Sequence, residues 1–339
     1  MNRLLNNPEQ EVKEMLEGYI ANYPDYFTKL NDKQVLIKKV MKDRVSIVIG
    51  AGGGNEPWPI GYVGEGLADA CALGNVFAAP AATSILSAIR AVPHDKGVLC
   101  IATNHAGDVL NFELVGELAE LEGIQTKRIY VSDDVTSAPK NRGDERRGIA
   151  GVTLVVKTAA AAAEAGLSLS EVAEIAEIVN CSTYTASVTT SPAYVLETGK
   201  QAYDLSDGMI EYGMGFNGEM GIERTKMTSA DKIMDHVFSM VADDMGLKAG
   251  EEVAVFLNPF KATTTIESYI LLRRCMQLLK ERDIHVYDSY VNSLFPTQGA
   301  GGFSLTLLRM DSKFKEYYDV PVWSPLFQKG EVHNDRSAE

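Results

Sequence analysis

The sequence has no apolar run of the length that a membrane-spanning helix requires. Cysteine is scarce. The four cysteines stand far apart and form no CxxC pair, which argues against a disulfide framework or a zinc site and favours reduced thiols in the core. Basic residues are fewer than acidic ones: 32 Lys and Arg stand against 46 Asp and Glu, which gives a formal net charge of -14. This balance argues against binding to nucleic-acid phosphates or anionic membranes, but not against a small neutral ligand.

The start of the sequence, MNRLLNNPEQEV, lacks the apolar core of a signal peptide, and we therefore expect a cytoplasmic protein. The length of 339 residues exceeds that of one typical domain and favours two domains. No metal site is predicted.

Short apolar runs alternate with helical periodicity in the first half of the chain. The runs at 45–49, 98–102 and 128–131 are typical of buried strands, and the segments between them have helical spacing. Ser168 and Glu171 stand at the spacing of a capping box. This alternation predicts a mainly parallel sheet flanked by helices.

The second half has a different pattern. Strand-like runs at 252–258, 284–292 and 303–310 accompany one helix that starts near Ser229 and one that spans roughly 266–280. The sequence therefore predicts an α/β fold with two α/β domains, the second smaller and built on a mixed sheet. We place the domains at residues 1–185 and 186–331, followed by a tail over 332–339.

A glycine-rich segment, GAGGGNEP, follows the first predicted strand at residues 50–57. The dinucleotide-binding fingerprint is not matched, because Asn55 occupies its sixth position, and no Gly-Lys-Ser/Thr follows as a P-loop requires. Gly52, Gly53 and Gly54 can bring backbone N–H groups close to the oxygens of a ligand. A tight turn packed against another element explains the glycines equally well.

A second loop, TNHAGD, follows the next predicted strand and contains Asn104, His105 and Asp108. Parallel strands end at the same edge of a sheet, so both loops are expected to face one crevice. An aspartate there can orient or deprotonate a hydroxyl group. Alternatively, Asp108 caps a helix that begins at Val109.

Two further segments are ambiguous. Asn217-Gly218 lies in GMGFNGEMG, which predicts an exposed loop after a short strand, although Asn-Gly is also the leading hairpin dipeptide. The charged run KNRGDERRG at 140–148 predicts a solvated loop, and its arginines are alternatively available to a partner.

Four blocks carry a family resemblance: GNEPWPIGYVGEGLADACALGNVF, NHAGDVLNFELVGELAE, RRGIAGVTLVVKTAAAAAE and EYGMGFNGEMGIER. With them the chain resembles, over nearly its whole length, the substrate-binding K subunit of bacterial dihydroxyacetone (glycerone) kinases. The resemblance implies a homodimer of α/β domains that holds dihydroxyacetone, and no cofactor in this chain. A separate helical subunit with Mg-ADP, or Mg-ATP in the single-chain enzymes, would deliver the phosphoryl group.

The chain departs from the family at two positions. The family has a histidine where Asn55 stands, which assists deprotonation of the substrate, and another where Asn217 stands, which binds the ketone covalently. An amide has no basic nitrogen at neutral pH and is a poor nucleophile. Asp108 keeps the position of the catalytic aspartate of the family. His105 occupies a usually aromatic position, either as a displaced base or as a polar residue at the sheet edge.

Two functions follow from these residues. In the first, the chain is a kinase subunit that holds a short ketose or polyol noncovalently, with Asp108 and His105 as the candidate catalytic residues. In the second, it is a ligand-sensing coactivator or regulator without turnover. The expected substrate-binding residues are Gly52, Gly53, Gly54, Asn55, Asn104, Asp108, Asn217 and Gly218.

Overall fold

The structure, a computed structural model, describes residues 4–30, 33–195 and 199–330. The first sheet has six strands in the order β1-β2-β4-β3-β5-β6. They are β1 Phe27–Lys29, β2 Val35–Lys38, β3 Ser46–Gly53, β4 Ala70–Val76, β5 Val98–Thr103 and β6 Thr126–Val131. The strands β4, β3, β5 and β6 are parallel, whereas β2 and β1 extend one edge in antiparallel pairs.

Helices cover both faces of this sheet. They are α1 Glu11–Asn22, α2 Ala82–Ala91, α3 Ala106–Leu121, α4 Val152–Glu164 and α5 Leu169–Ser182. Helices α2 and α3 pack on one face, and α4 and α5 pack on the other. From Val152 to Ala163 every residue of α4 is buried, because its small side chains allow close approach on all sides.

The second sheet also has six strands, in the order β11-β10-β12-β7-β8-β9. They are β7 Thr183–Ser191, β8 Met209–Tyr212, β9 Glu223–Lys226, β10 Glu252–Pro259, β11 His285–Val291 and β12 Gly301–Arg309. Only β10 and β11 pair in parallel among these strands. Helices α6 Ala230–Met245 and α7 Thr265–Glu281 cover its outer face. A short helix α8 Lys315–Asp319 and the pair β13 Val322–Trp323 and β14 Gln328–Lys329 follow.

Helices α4 and α5 lie between the two sheets. Along β10, Ala254 and Phe256 pack towards these helices, whereas Val253 and Val255 pack towards α6 and α7. The strand alternation of side chains thus gives each face of the second sheet its own core. The shared middle layer brings loops from both sheets to one region of the molecule.

The predicted α/β fold with a parallel and a mixed sheet is confirmed. The Ser168–Glu171 capping box is present, and Ser229 caps α6. The division at residue 185 stays a prediction, since β7 runs across it. The tail at 332–339 lies outside the described residues. No helix in the part of the chain that the structure describes has the length and apolar character needed to cross a membrane.

Candidate functional site

A cavity of about 450 Å³ lies at the carboxyl ends of β3 and β5. Its wall combines the end of β3, the chain after β4, the start of α3 and the loop that joins β8 to β9. The polar side chains that line it are Asn55, Thr103, Asn104, His105, Asp108, Arg147, Asn217 and Glu219. The structure therefore brings the three loops singled out in the sequence to one cavity.

Asp108 is buried in the first turn of α3, with 6% of its surface exposed. Thr103 Oγ1 lies within hydrogen-bond distance of its Oδ2, at 3.3 Å, and Oδ1 has no hydrogen-bond partner among the described residues. Burial raises the pKa of Asp108 to about 7. At neutral pH the protonated and ionised forms are therefore both populated, as proton transfer requires.

The alternative interpretation of Asp108 as a helix cap is wrong. Helix α3 begins at Ala106 rather than Val109, and His105 occupies the cap position without a side-chain capping bond. Asp108 is the third residue of the helix, and its side chain lines the cavity.

His105 bridges two polar groups of the cavity. Its Nδ1 lies 3.0 Å from Thr103 Oγ1, and its Nε2 lies 3.4 Å from Glu219 Oε1. Burial lowers the pKa of His105; Glu219 opposes this and Arg147 adds to it. The contact with Thr103 places the imidazole one hydroxyl group away from Asp108.

The three asparagines of the cavity wall make different hydrogen bonds. Asn55 is buried, and its Nδ2 donates to Pro296 O at 2.9 Å. Asn104 Nδ2 donates to two carbonyl groups of the loop before α4, at 2.9 and 2.7 Å. The backbone N–H of Asn217 donates to Glu219 Oε2 at 3.1 Å. All three line the cavity, but the Asn104 donors are already engaged within the protein.

The glycines are distributed over more than one environment. Gly52 lines the cavity, whereas Gly53, Gly54 and Gly218 do not, and Gly54 borders a neighbouring cavity of about 630 Å³. Strand β3 continues to Gly53, and the Gly54 N–H donates to Glu56 Oε1 at 2.9 Å. A Cβ on Gly52 would lie 2.5 Å from Ala78 O. Close packing of the chain after β4 thus explains Gly52, while ligand binding by these glycines stays a prediction.

The solvated-loop interpretation is wrong for two arginines of the charged run. Arg146 forms an ion pair with Asp244 at 2.7 Å, and Arg147 pairs with Asp134 at 2.9 Å. Both arginine side chains are largely shielded from solvent, and each pairs with an aspartate outside the charged run. Arg147 reaches the cavity wall.

Three polar residues of the cavity wall were missed in the sequence: Thr103, Arg147 and Glu219. Thr103 is the last residue of a buried strand, and Arg147 lies in a run of charges. Glu219 directly follows Asn217-Gly218, and this proximity was the available signal. In residues 4–30, 33–195 and 199–330 there is no group of three or more His, Cys, Asp or Glu side chains that could hold a metal ion.

Comparison with known proteins shows the family of the chain. The family model described as the Dak1 domain matches residues 17–326. The chain belongs to the Dak1 domain family. It is 38% identical to the dihydroxyacetone-binding subunit DhaK of the PTS-dependent dihydroxyacetone kinase 2 of Listeria innocua, over 97% of this chain and 99% of the relative.

Two further Dak1 relatives differ in activity. The L-erythrulose kinase of Pectobacterium atrosepticum is 34% identical over 98% of this chain, which spans 57% of that enzyme. The solved structure of the dihydroxyacetone kinase operon co-activator Dha-DhaQ is 30% identical with a TM-score of 0.86, covering 91% of this chain and 96% of that one.

Proposed function

We propose that this Dak1 chain is the substrate-binding subunit of a kinase that phosphorylates a hydroxyl group of a short ketose or polyol. The observation that supports it most directly is the Asp108 carboxyl group, which is buried at the cavity and has Oδ1 without a partner among the described residues. A substrate hydroxyl group at that oxygen would satisfy it and place its proton on a base with a pKa of about 7.

Binding is proposed to be noncovalent. The amides of Asn55 and Asn217 offer hydrogen bonds to hydroxyl and carbonyl oxygens, but no nucleophilic nitrogen. Catalysis then rests on positioning the acceptor hydroxyl group, which suits phosphoryl transfer because the protein does little covalent chemistry there. We expect the magnesium nucleotide on a separate helical subunit. The L-erythrulose kinase relative favours testing four-carbon ketoses beside dihydroxyacetone.

A second candidate function is that of a ligand-sensing coactivator. It is favoured by the likeness to the co-activator Dha-DhaQ, which extends over 91% of this chain. In that case the cavity would bind a ketose, and binding would change the affinity for a transcription factor without any turnover.

A coupled assay with a cognate nucleotide-carrying subunit and a panel of trioses, tetroses and pentoses separates the two functions. We expect at least one ketose to be phosphorylated, and Asp108→Asn to lower kcat by 100-fold or more, a typical loss for a general base. Asp25→Asn, at an exposed aspartate, is the matched control and should leave the rate unchanged. Ketose binding without turnover of any sugar would instead support the coactivator.

We also propose that the chain forms a homodimer, as its family resemblance implies. Light scattering at micromolar concentration should give twice the mass of one chain, and a single-chain mass would contradict the proposal.

A further inference from the structure

Thr103 stands between the two candidate catalytic groups. Its Oγ1 lies 3.3 Å from Asp108 Oδ2 and 3.0 Å from His105 Nδ1. The side chain is buried at the end of β5. A threonine hydroxyl group has one hydrogen to donate. It can therefore donate to Asp108 or to the imidazole, but not to both at once.

The position of the hydrogen on the His105 ring decides between these two bonds. When Nδ1 carries the hydrogen, the ring donates to Thr103, and the hydroxyl group turns to Asp108. When Nε2 carries it, Nδ1 is an acceptor and takes the hydroxyl hydrogen instead. Asp108 then loses a donor. Because a hydrogen bond stabilises the ionised carboxylate, this loss makes Asp108 more basic.

The charges around the ring favour the second arrangement. Glu219 Oε1 lies 3.4 Å from Nε2 without forming a hydrogen bond to it, and the negative charge of a carboxylate at that distance favours an N–H group over a lone pair. The other charged group that faces His105 is Arg147, which is paired with Asp134 at 2.9 Å. Burial lowers the pKa of the ring and Arg147 adds to this, although Glu219 opposes it, so the ring stays neutral with its hydrogen on Nε2.

We propose that Glu219 sets the basicity of Asp108 through His105 and Thr103. By holding the hydrogen on Nε2, it turns the Thr103 hydroxyl group away from Asp108. The inference deepens the proposed function and rests on Asp108 as its base. Thr103 and Glu219 are then positioning residues of the site, acting through neighbours rather than on the substrate.

The test uses the free full-length protein, without substrate or partner. Nitrogen-15 shifts of labelled histidine report which ring nitrogen of His105 carries the hydrogen, and carbon-13 shifts of labelled aspartate give the pKa of Asp108. We expect hydrogen on Nε2 in the wild type. Glu219→Gln should move it towards Nδ1 and lower the pKa of Asp108 by about one pH unit, the effect of one hydrogen bond to a carboxylate.

A double-mutant cycle separates this effect from the direct repulsion between the two carboxylates. Thr103→Val keeps the side-chain shape without the hydroxyl group, so in that background Glu219→Gln should shift the pKa of Asp108 by less than half as much. Thr103→Ser should restore the full shift, and Thr103→Ala serves if the valine variant does not fold. Equal shifts in both backgrounds, or hydrogen on Nδ1 in the wild type, would overturn the inference. Because no turnover is measured, this outcome is independent of whether the chain acts as a kinase.

Discussion

Asp108 remains protonated to a higher pH than carboxyl groups usually do. Burial raises its pKa from 3.8 to about 7. Only the ionised form accepts a proton, so kcat/KM should rise with pH up to about 7 and level off above it. A pH profile measured with the nucleotide-carrying subunit checks this. Rates that are already constant from pH 5 upwards would show that another group is the base.

We expect the residue at position 217 to decide whether a ketose is held covalently. An amide nitrogen does not attack a ketone, so intact-mass spectra of the protein with dihydroxyacetone should show no adduct that survives denaturation. Asn217→His supplies an imidazole at that position and should create a mass increase of one ketose. Asn55→His is the control, since it adds an imidazole elsewhere in the cavity wall. A stable adduct on the wild-type protein would contradict noncovalent binding.

At the scale of elements, the glycines of β3 and β4 set the packing of the chain that follows β4. A Cβ on Gly74 would overlap the Ala78 carbonyl oxygen, a backbone atom that cannot turn away. Gly74→Ala should therefore lower the free energy of unfolding by about 1–3 kcal/mol, as overpacking does. Gly18→Ala is the matched control at an exposed position of α1, where nothing lies within 4 Å of the added Cβ, and it should stabilise the protein by about 0.5–1 kcal/mol. Urea denaturation of both variants measures the difference.

Apolar runs were sufficient to predict the central strands but not their full extent. The run at 45–49 predicted the core of β3, yet β3 continues through Gly53, because glycine pairs with β4 without contributing an apolar side chain. The short strands β1 and β2 were missed because three or four residues show no clear periodicity. Strand β4 has the sequence ACALGNV, and its small residues show neither the alternation nor the β-branched side chains typical of a strand.

Polar residues in the loops that follow strands predicted part of the candidate site. Asn55, His105, Asp108 and Asn217 could be found because each follows a strand and lies within a block that carries the family resemblance. Thr103 was missed because it ends a buried strand, and Glu219 was missed because its contact with His105 joins a loop of the second sheet to the first. The burial of Arg146 was equally invisible, because its partner Asp244 lies 98 positions away in sequence.

At the scale of the whole molecule, the Arg146–Asp244 ion pair joins the loop before α4 to α6 on the second sheet. Arg146→Ala leaves a largely buried carboxylate without its partner and should lower the free energy of unfolding by about 3–5 kcal/mol. Arg142→Ala removes an exposed ion pair with Glu145 and should change it by less than about 0.5 kcal/mol. Thermal or urea unfolding of both variants gives the comparison, and similar losses would show that burial does not strengthen the pair.

The hydrogen bond from Asn55 to Pro296 joins positions 241 apart in the chain. During synthesis the first sheet is complete once Val131 has left the ribosome, long before Pro296 and its neighbour Phe295 can close the cavity wall. A nascent chain can therefore contain the whole first sheet before the ligand cavity is complete. A ketose that recognises only the closed cavity would bind the finished protein and not this nascent chain, and it should therefore stabilise the finished protein against unfolding.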